Sequence, residues 1–303
     1  MRKKIICVVG FAMVCMTALS QSWPTGRSEA KAGVRWWWLG SAVTEQSLRE
    51  NMQEYARTGI GSVEITPIYG VQGNEKNELS YLSDPWMHVL QVVEDEGRRS
   101  GILIDMNNGT GWPFGGPTTP IEEAACKAVF LIDTVAAGAA PVKELPDREK
   151  AFARLSCERR YDLGDGRDQV VRLFVSRTRQ QVKRAAPGGE GYVIDHFDKA
   201  AVRHYLERFD EAFSRTNTPY PHNFFNDSYE VYDANWTPTL FAEFAQRRGY
   251  RLEDHLRELL GLVDDGNQVL SDYRETLSDM LLENFSQQWT AWAHRHGVQT
   301  RNQ

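Results

Sequence analysis

Hydrophobic positions along this chain recur in two rhythms, and the rhythms alternate. Val34–Gly40 (VRWWWLG) is a short apolar run ending at glycine. From Thr44 to Arg57 the apolar residues Leu48, Met52 and Tyr55 fall at helical spacing behind a threonine suited to capping. Ser62–Pro67 (SVEITP) reads as a second strand. Asp84 as cap, Pro85 at the first position and Met87, Leu90 and Val93 at helical spacing predict a second helix, closed before Gly101. Ile102–Met106 (ILIDM) is a third strand that opens into the glycine-rich stretch Asn107–Pro117, NNGTGWPFGGP. Strand, helix, strand, helix, strand, with glycine after each strand, predicts parallel βαβ units whose loops gather on one face.

From Cys126 to Gly191 the rhythm changes. Lys127–Val135 and Gln169–Ser176 are β-like, with polar connections and no helix long enough for a crossover, which predicts a β-rich insertion. Helical spacing returns at Asp198–Ser214 and leads into a fourth strand, Asn223–Tyr232. Helices follow over Thr237–Arg248, around Leu252–Leu260 and over Leu270–His294, and a fifth strand begins at Val298. The expected fold is α/β, a (β/α)8 TIM-type barrel of which about five strands are present, with the β-rich insertion after strand three. The expected division is a leader over 1–20, strands one to three over 21–125, the insertion over 126–191 and the barrel continuation over 192–303, read as truncated. A complete doubly wound sheet would call for a GxGxxG loop after a strand, and the sequence has none.

Composition narrows the class. With 41% hydrophobic and 11% aromatic residues in 303, the chain can bury a large core. Arg2, Lys3 and Lys4 precede the apolar Ile5–Leu19, with small residues before Gln21, and this reads as a secretory signal peptide rather than a membrane anchor. Its removal would take the net charge from −6 to −9, which argues against nucleic acid as a partner. Cys126 and Cys157 remain, as a disulfide or as buried thiols, and no HExxH or His/Cys cluster supports a zinc site.

The candidate chemistry sits at the strand ends. In a (β/α) barrel those ends form the site, which selects Glu64, Asp105, Asn107, Asn108, Asn226, Asp227 and Glu230. Glu230 is the preferred carboxylate, because alternation in the fourth strand places Asn226, Ser228 and Glu230 on one face and Asp227 on the other. Desolvation at a mouth lined by Tyr229 and Tyr232 would raise its pKa. Trp112, flanked by glycines, reads as a sugar platform, and at least one of Trp36–Trp38 as packing. Asp105 could instead pair with Arg35, Glu64 could belong to a core ion pair, and Glu230 could cap a helix or pair with a basic group on the rim. Carboxylates beside flat aromatic walls suit a carbohydrate. No serine elbow, cysteine–histidine pair or phosphate cradle competes.

Five motifs in order resemble bacterial α-L-rhamnosidases of glycoside hydrolase family 106: RWWWLG at Arg35–Gly40, GIGSVEITPIYG at Gly59–Gly70, YLSDPWM at Tyr81–Met87, DMNNGTGWPFGGP at Asp105–Pro117 and NDSYEVYDANWTP at Asn226–Pro238. The resemblance implies secreted enzymes that cleave rhamnose-containing oligosaccharides or plant polysaccharides with inversion, on a (β/α)8 barrel, with help from calcium. It matches Glu230 to the catalytic acid and Asn107 or Asn108 to an asparagine near the metal. The base is expected on a later strand, so the 303 residues read as an N-terminal part inactive alone. A retaining barrel glycosidase, or a carbohydrate-binding protein without turnover, are the other readings.

Overall fold

A computed structural model describes residues 26–264 and 266–303; the signal-peptide expectation lies outside these. Five parallel strands form one sheet: β1 (Gly33–Leu39), β2 (Ser62–Ile68), β3 (Leu103–Asn107), β7 (Asn223–Asn226) and β8 (Gln299–Asn302), in the order β1-β2-β3-β7-β8. Each follows its neighbour through a crossover, as the alternating rhythms require. The sheet is open among the described residues, so the finding is a mixed α/β protein with a parallel sheet and not a closed barrel.

Helices α1 (Glu45–Thr58), α2 (Asp84–Ser100) and α3 (Lys199–Thr216) cover one face. Thr44 caps α1 in a capping box with Ser47, and Gly59 ends it in the left-handed region. The cap of α2 is Ser83 rather than Asp84, since the Ser83 side chain accepts the Trp86 N–H and Asp84 and Pro85 form the first turn. Alternation then sorts β1: Trp36 and Trp38 enter the core beside Trp86, Leu48 and Met52, whereas Trp37 is 44% exposed on the opposite face. The helix α5 (Asn267–Met280) runs through a π-helical stretch, Leu281–Gln287, into α6 (Gln288–Arg295), which delivers Trp289 and Trp292 to the same core.

The insertion is a three-stranded antiparallel sheet of β4 (Cys126–Ala136), β5 (Arg154–Asp162) and β6 (Arg167–Arg177), with β6 in the centre. Its buried face does not join the parallel sheet. Cys126, Cys157, Val171 and Leu173 pack on Trp236, on Leu240 and Phe244 of α4 (Leu240–Arg248), on Val269 and on Met280. A second core therefore joins the insertion to the helices after β7. Both cysteines are buried free thiols. Among the described residues no helix is long and apolar enough to cross a membrane.

Candidate active site

The fourth parallel strand is shorter than its sequence suggests. β7 ends at Asn226, after which the chain turns, with the Ser228 Oγ accepting the Glu230 N–H at 3.1 Å. Asn, Asp and Ser side chains offer the backbone such local partners in place of a ladder. Alternation still holds as far as Asp227. Register places Arg35, Glu64, Asp105 and Asn223 in one row across the sheet, and Phe225 beside Arg301. All lie on the face away from the helices. Asn226 points the other way, donating to Asn302 at 2.7 Å. Glu230 is therefore not carried to the mouth by sharing a strand face with Asn226; the turn brings it there.

At the mouth Glu230 meets the glycine loop. The Trp112 indole N–H donates to Glu230 Oε2 at 3.3 Å, and Lys183 Nζ pairs with the same oxygen. Lys183 also donates to the Tyr232 hydroxyl at 2.7 Å and lies over its ring. Gln180 pins the turn from the insertion side, donating to the Glu230 carbonyl at 2.6 Å and accepting the Tyr232 N–H at 2.7 Å. The Lys183 hydrogen bond, helped by that of Trp112, holds the Glu230 carboxyl below its ordinary value. This corrects the expectation of a raised pKa: the Glu230 side chain is about half exposed, 51%, so desolvation is too weak to oppose its partners.

The other expected substrate residues are engaged in ion pairs below the mouth. Glu64 accepts from Arg35 Nε at 2.8 Å, from Arg301 and from the Thr66 hydroxyl at 3.2 Å. Asp227 takes Arg35 Nη1 at 2.7 Å. Asp105 pairs with His222 Nδ1 at 3.0 Å rather than with Arg35. The guanidiniums of Arg35 and Arg301 lie over the ring of Phe225 at 4.8 and 4.7 Å. Arg35, Glu64, Asp105, His222 and Arg301 line a cavity of about 460 Å³ that also touches the strand starts at Gly33, Ser62 and Leu103.

The asparagines expected beside a metal divide. Asn107 shares the face of Asp105 and donates from Nδ2 to the Gly111 carbonyl at 2.9 Å, which fixes the glycine loop. Asn108 is fully buried on the helix side, and its Oδ1 accepts the Trp289 indole N–H at 2.7 Å. Its carbonyl oxygen is thus not offered to a cation. Among the described residues no group of three His, Cys, Asp or Glu side chains could hold a metal ion. The side chains of both asparagines are thus engaged within the protein.

Sequence reasoning missed Gln180, Lys183 and Arg184, which arrive from the insertion. The available signal was a basic pair, Lys183-Arg184, next to AAPGG.

The mouth brings a carboxylate, an indole and a lysine together beside the ends of parallel strands, an arrangement that suits a carbohydrate. The family model described as alpha-L-rhamnosidase, glycoside hydrolase family 106, matches residues 156–302. A solved structure, the rhamnosidase from Novosphingobium sp. PP1Y, superposes with a TM-score of 0.72 at 15% identity, covering 92% of this chain and 47% of that one. A protein of Formosa agariphila named "Putative beta-glucuronidase" is 23% identical over 357 aligned positions, covering 93% of this chain and 30% of its own length. The chain is therefore similar to glycosidases, and to the rhamnosidase family in particular, while spanning less than half the length of either relative.

Proposed function

We propose that this chain carries one wall of the active site of a glycoside hydrolase that releases L-rhamnose from a secreted enzyme's glycan substrate, with Glu230 as its catalytic carboxylate and Trp112 as the platform beside it. The observation that carries the reading is the 3.3 Å contact between them, which joins the glycine loop after β3 to the turn after β7. In this reading the open sheet is the first part of a (β/α)8 barrel whose later strands supply the second carboxylate. Inversion needs two such groups roughly 6.5–9.5 Å apart.

Glu230 serves as the acid once a glycoside enters between it and Lys183. Separation removes the contact that lowers its pKa, exclusion of water raises it, and the proton passes from Oε2 to the departing glycosidic oxygen. A second reading has its own support, since a carboxylate held ionised by lysine is already prepared to act as the base that activates water.

Leaving-group dependence separates the two. In the full-length protein Glu230→Gln should slow natural rhamnosides by roughly 10²–10⁴-fold while nearly sparing aryl rhamnosides whose leaving groups need no proton. Equal loss on both, with recovery by azide, would assign the base role instead. Full activity of the variant on both would remove Glu230 from the mechanism.

A further inference from the structure

Among the described residues, one cation beside the mouth has no carboxylate partner. Arg35 is bound by Glu64 and Asp227, and Lys183 by Glu230. Arg184 is exposed, and its guanidinium lies over the ring of Tyr69 at 5.2 Å, with no carboxylate in ion-pair reach among the described residues. Tyr69 is itself 44% exposed at the end of β2.

The position is built rather than incidental. Arg184 holds a left-handed backbone, φ +59°, a conformation that costs a non-glycine residue and persists where its surroundings impose it. Its carbonyl accepts the Tyr69 N–H at 3.0 Å. Next to it Lys183 exchanges two backbone hydrogen bonds with Trp112, at 3.1 and 2.7 Å. Gly111 allows that approach, because a Cβ there would lie 1.8 Å from the Lys183 carbonyl oxygen. The segment is thus fastened to the end of β2 on one side and to the glycine loop on the other, and the arginine is held over an aromatic shelf.

We propose that Arg184 and Tyr69 form a subsite for a uronate, the carboxylate-bearing sugar that neighbours the unit beside Glu230. Tyr69 holds the guanidinium over its ring, which leaves the N–H edge of Arg184 to offer two parallel bonds to the planar carboxylate of the sugar, a fit that a neutral hydroxymethyl group does not offer. The chain as a whole is acidic, with a net charge of −6, so attraction of an anion must come from such a local feature.

This rests on the glycosidase reading above, and equilibrium binding tests the two separately. Calorimetry would compare α-L-rhamnosyl-(1→4)-D-glucuronate with its methyl ester and with the corresponding rhamnosyl-glucose. The unmodified protein should bind the free acid about tenfold more tightly than either neutral analogue, and added salt should erode the preference. Arg184→Gln should abolish the preference, weakening the free acid about tenfold. Equal binding of acid and ester by the unmodified protein, or a preference that survives Arg184→Gln, overturns the subsite and leaves the glycosidase reading standing. Absence of binding to all three overturns both. The acid–ester comparison needs no variant, so it decides the matter even if Arg184→Gln does not fold.

Discussion

Asp195 and His196 lie side by side beneath the Glu230 turn, lining a cavity of about 100 Å³ with Phe197, Tyr229 and Val231, and replacing the aspartate should change how stability depends on pH. Burial holds the Asp195 carboxyl up at about 7 against an ordinary 3.8, with the Phe197 N–H on its Oδ1 working against it. Burial likewise holds the His196 imidazole down at about 4 against 6.5, its Nδ1 bonded to the Ile194 carbonyl at 3.0 Å. A carboxyl with a raised folded pKa costs stability where only the unfolded chain ionises it, so its penalty grows from about pH 4 and is complete above about pH 7. A histidine with a depressed folded pKa costs stability where only the unfolded chain binds the proton, so its penalty grows as pH falls below about 6.5 and is complete below about 4. At about 1.4 kcal/mol per pK unit, the Asp195 penalty rises by about 2.5 kcal/mol between roughly pH 5 and pH 8, and that of His196 falls by about 2.

Asp195→Asn removes the first and keeps an acceptor for the Phe197 N–H, which now bonds Oδ1 at 3.0 Å. Urea unfolding followed by tryptophan fluorescence, at the two pH values on both proteins, gives the difference in stability. Other titrating groups, such as Glu94 held at about 8 by burial, act equally on both proteins and drop out of that difference. The difference should move toward stabilisation by about 2.5 kcal/mol on going from about pH 5 to about pH 8, and His196→Gln should move it the opposite way by about 2. A difference that does not vary with pH would refute the assignment of Asp195 as a buried ionisable group.

Lys183→Met should raise the pKa of Glu230, since its hydrogen bond is the main influence holding that carboxyl down; carbon-detected NMR titration of labelled glutamate checks this, and an unchanged midpoint would contradict it. Gly111→Ala adds a Cβ at φ +49° that meets the Lys183 carbonyl oxygen at 1.8 Å, so it should cost about 1–3 kcal/mol and separate Trp112 from Glu230, visible as a lower Tm and altered indole emission. Trp289→Phe leaves the buried Asn108 Oδ1 without its donor and should cost about 1–3 kcal/mol in urea unfolding, part of which a further Asn108→Leu should restore.

The parallel core was legible because its signals are local and repeated. Alternation marked at least one of Trp36–Trp38 as packing, and both Trp36 and Trp38 turn inward; Thr44 and Gly59 marked the ends of α1. β5 went unread because its buried Cys157 is surrounded by exposed arginines and acids, which hide the period of two. Nor could amphipathic spacing tell that α4 and α5 cover the insertion's sheet, since a helical stripe states that a face is buried and not against what. Within the site, Glu230 and Trp112 were found together, each beside its own strand end. An ion pair was open for Glu64, whereas that of Asp227 was not legible, because its pairing with Arg35 spans 192 positions and exists only once the sheet has assembled.

The segment from Gln180 to Arg184 belongs by chain connectivity to the antiparallel unit, yet its side chains face the groups at the ends of β2, β3 and β7. Whatever reaction the carboxylate performs, the cations beside it can drift or be exchanged along with that unit, leaving the strand order and the tryptophan-rich interior untouched. In the proposed reading the cations that tune the carboxylate are then inherited on a different stretch of polypeptide from the carboxylate itself, and grafting the antiparallel unit between homologues is a direct way to change one without rebuilding the other.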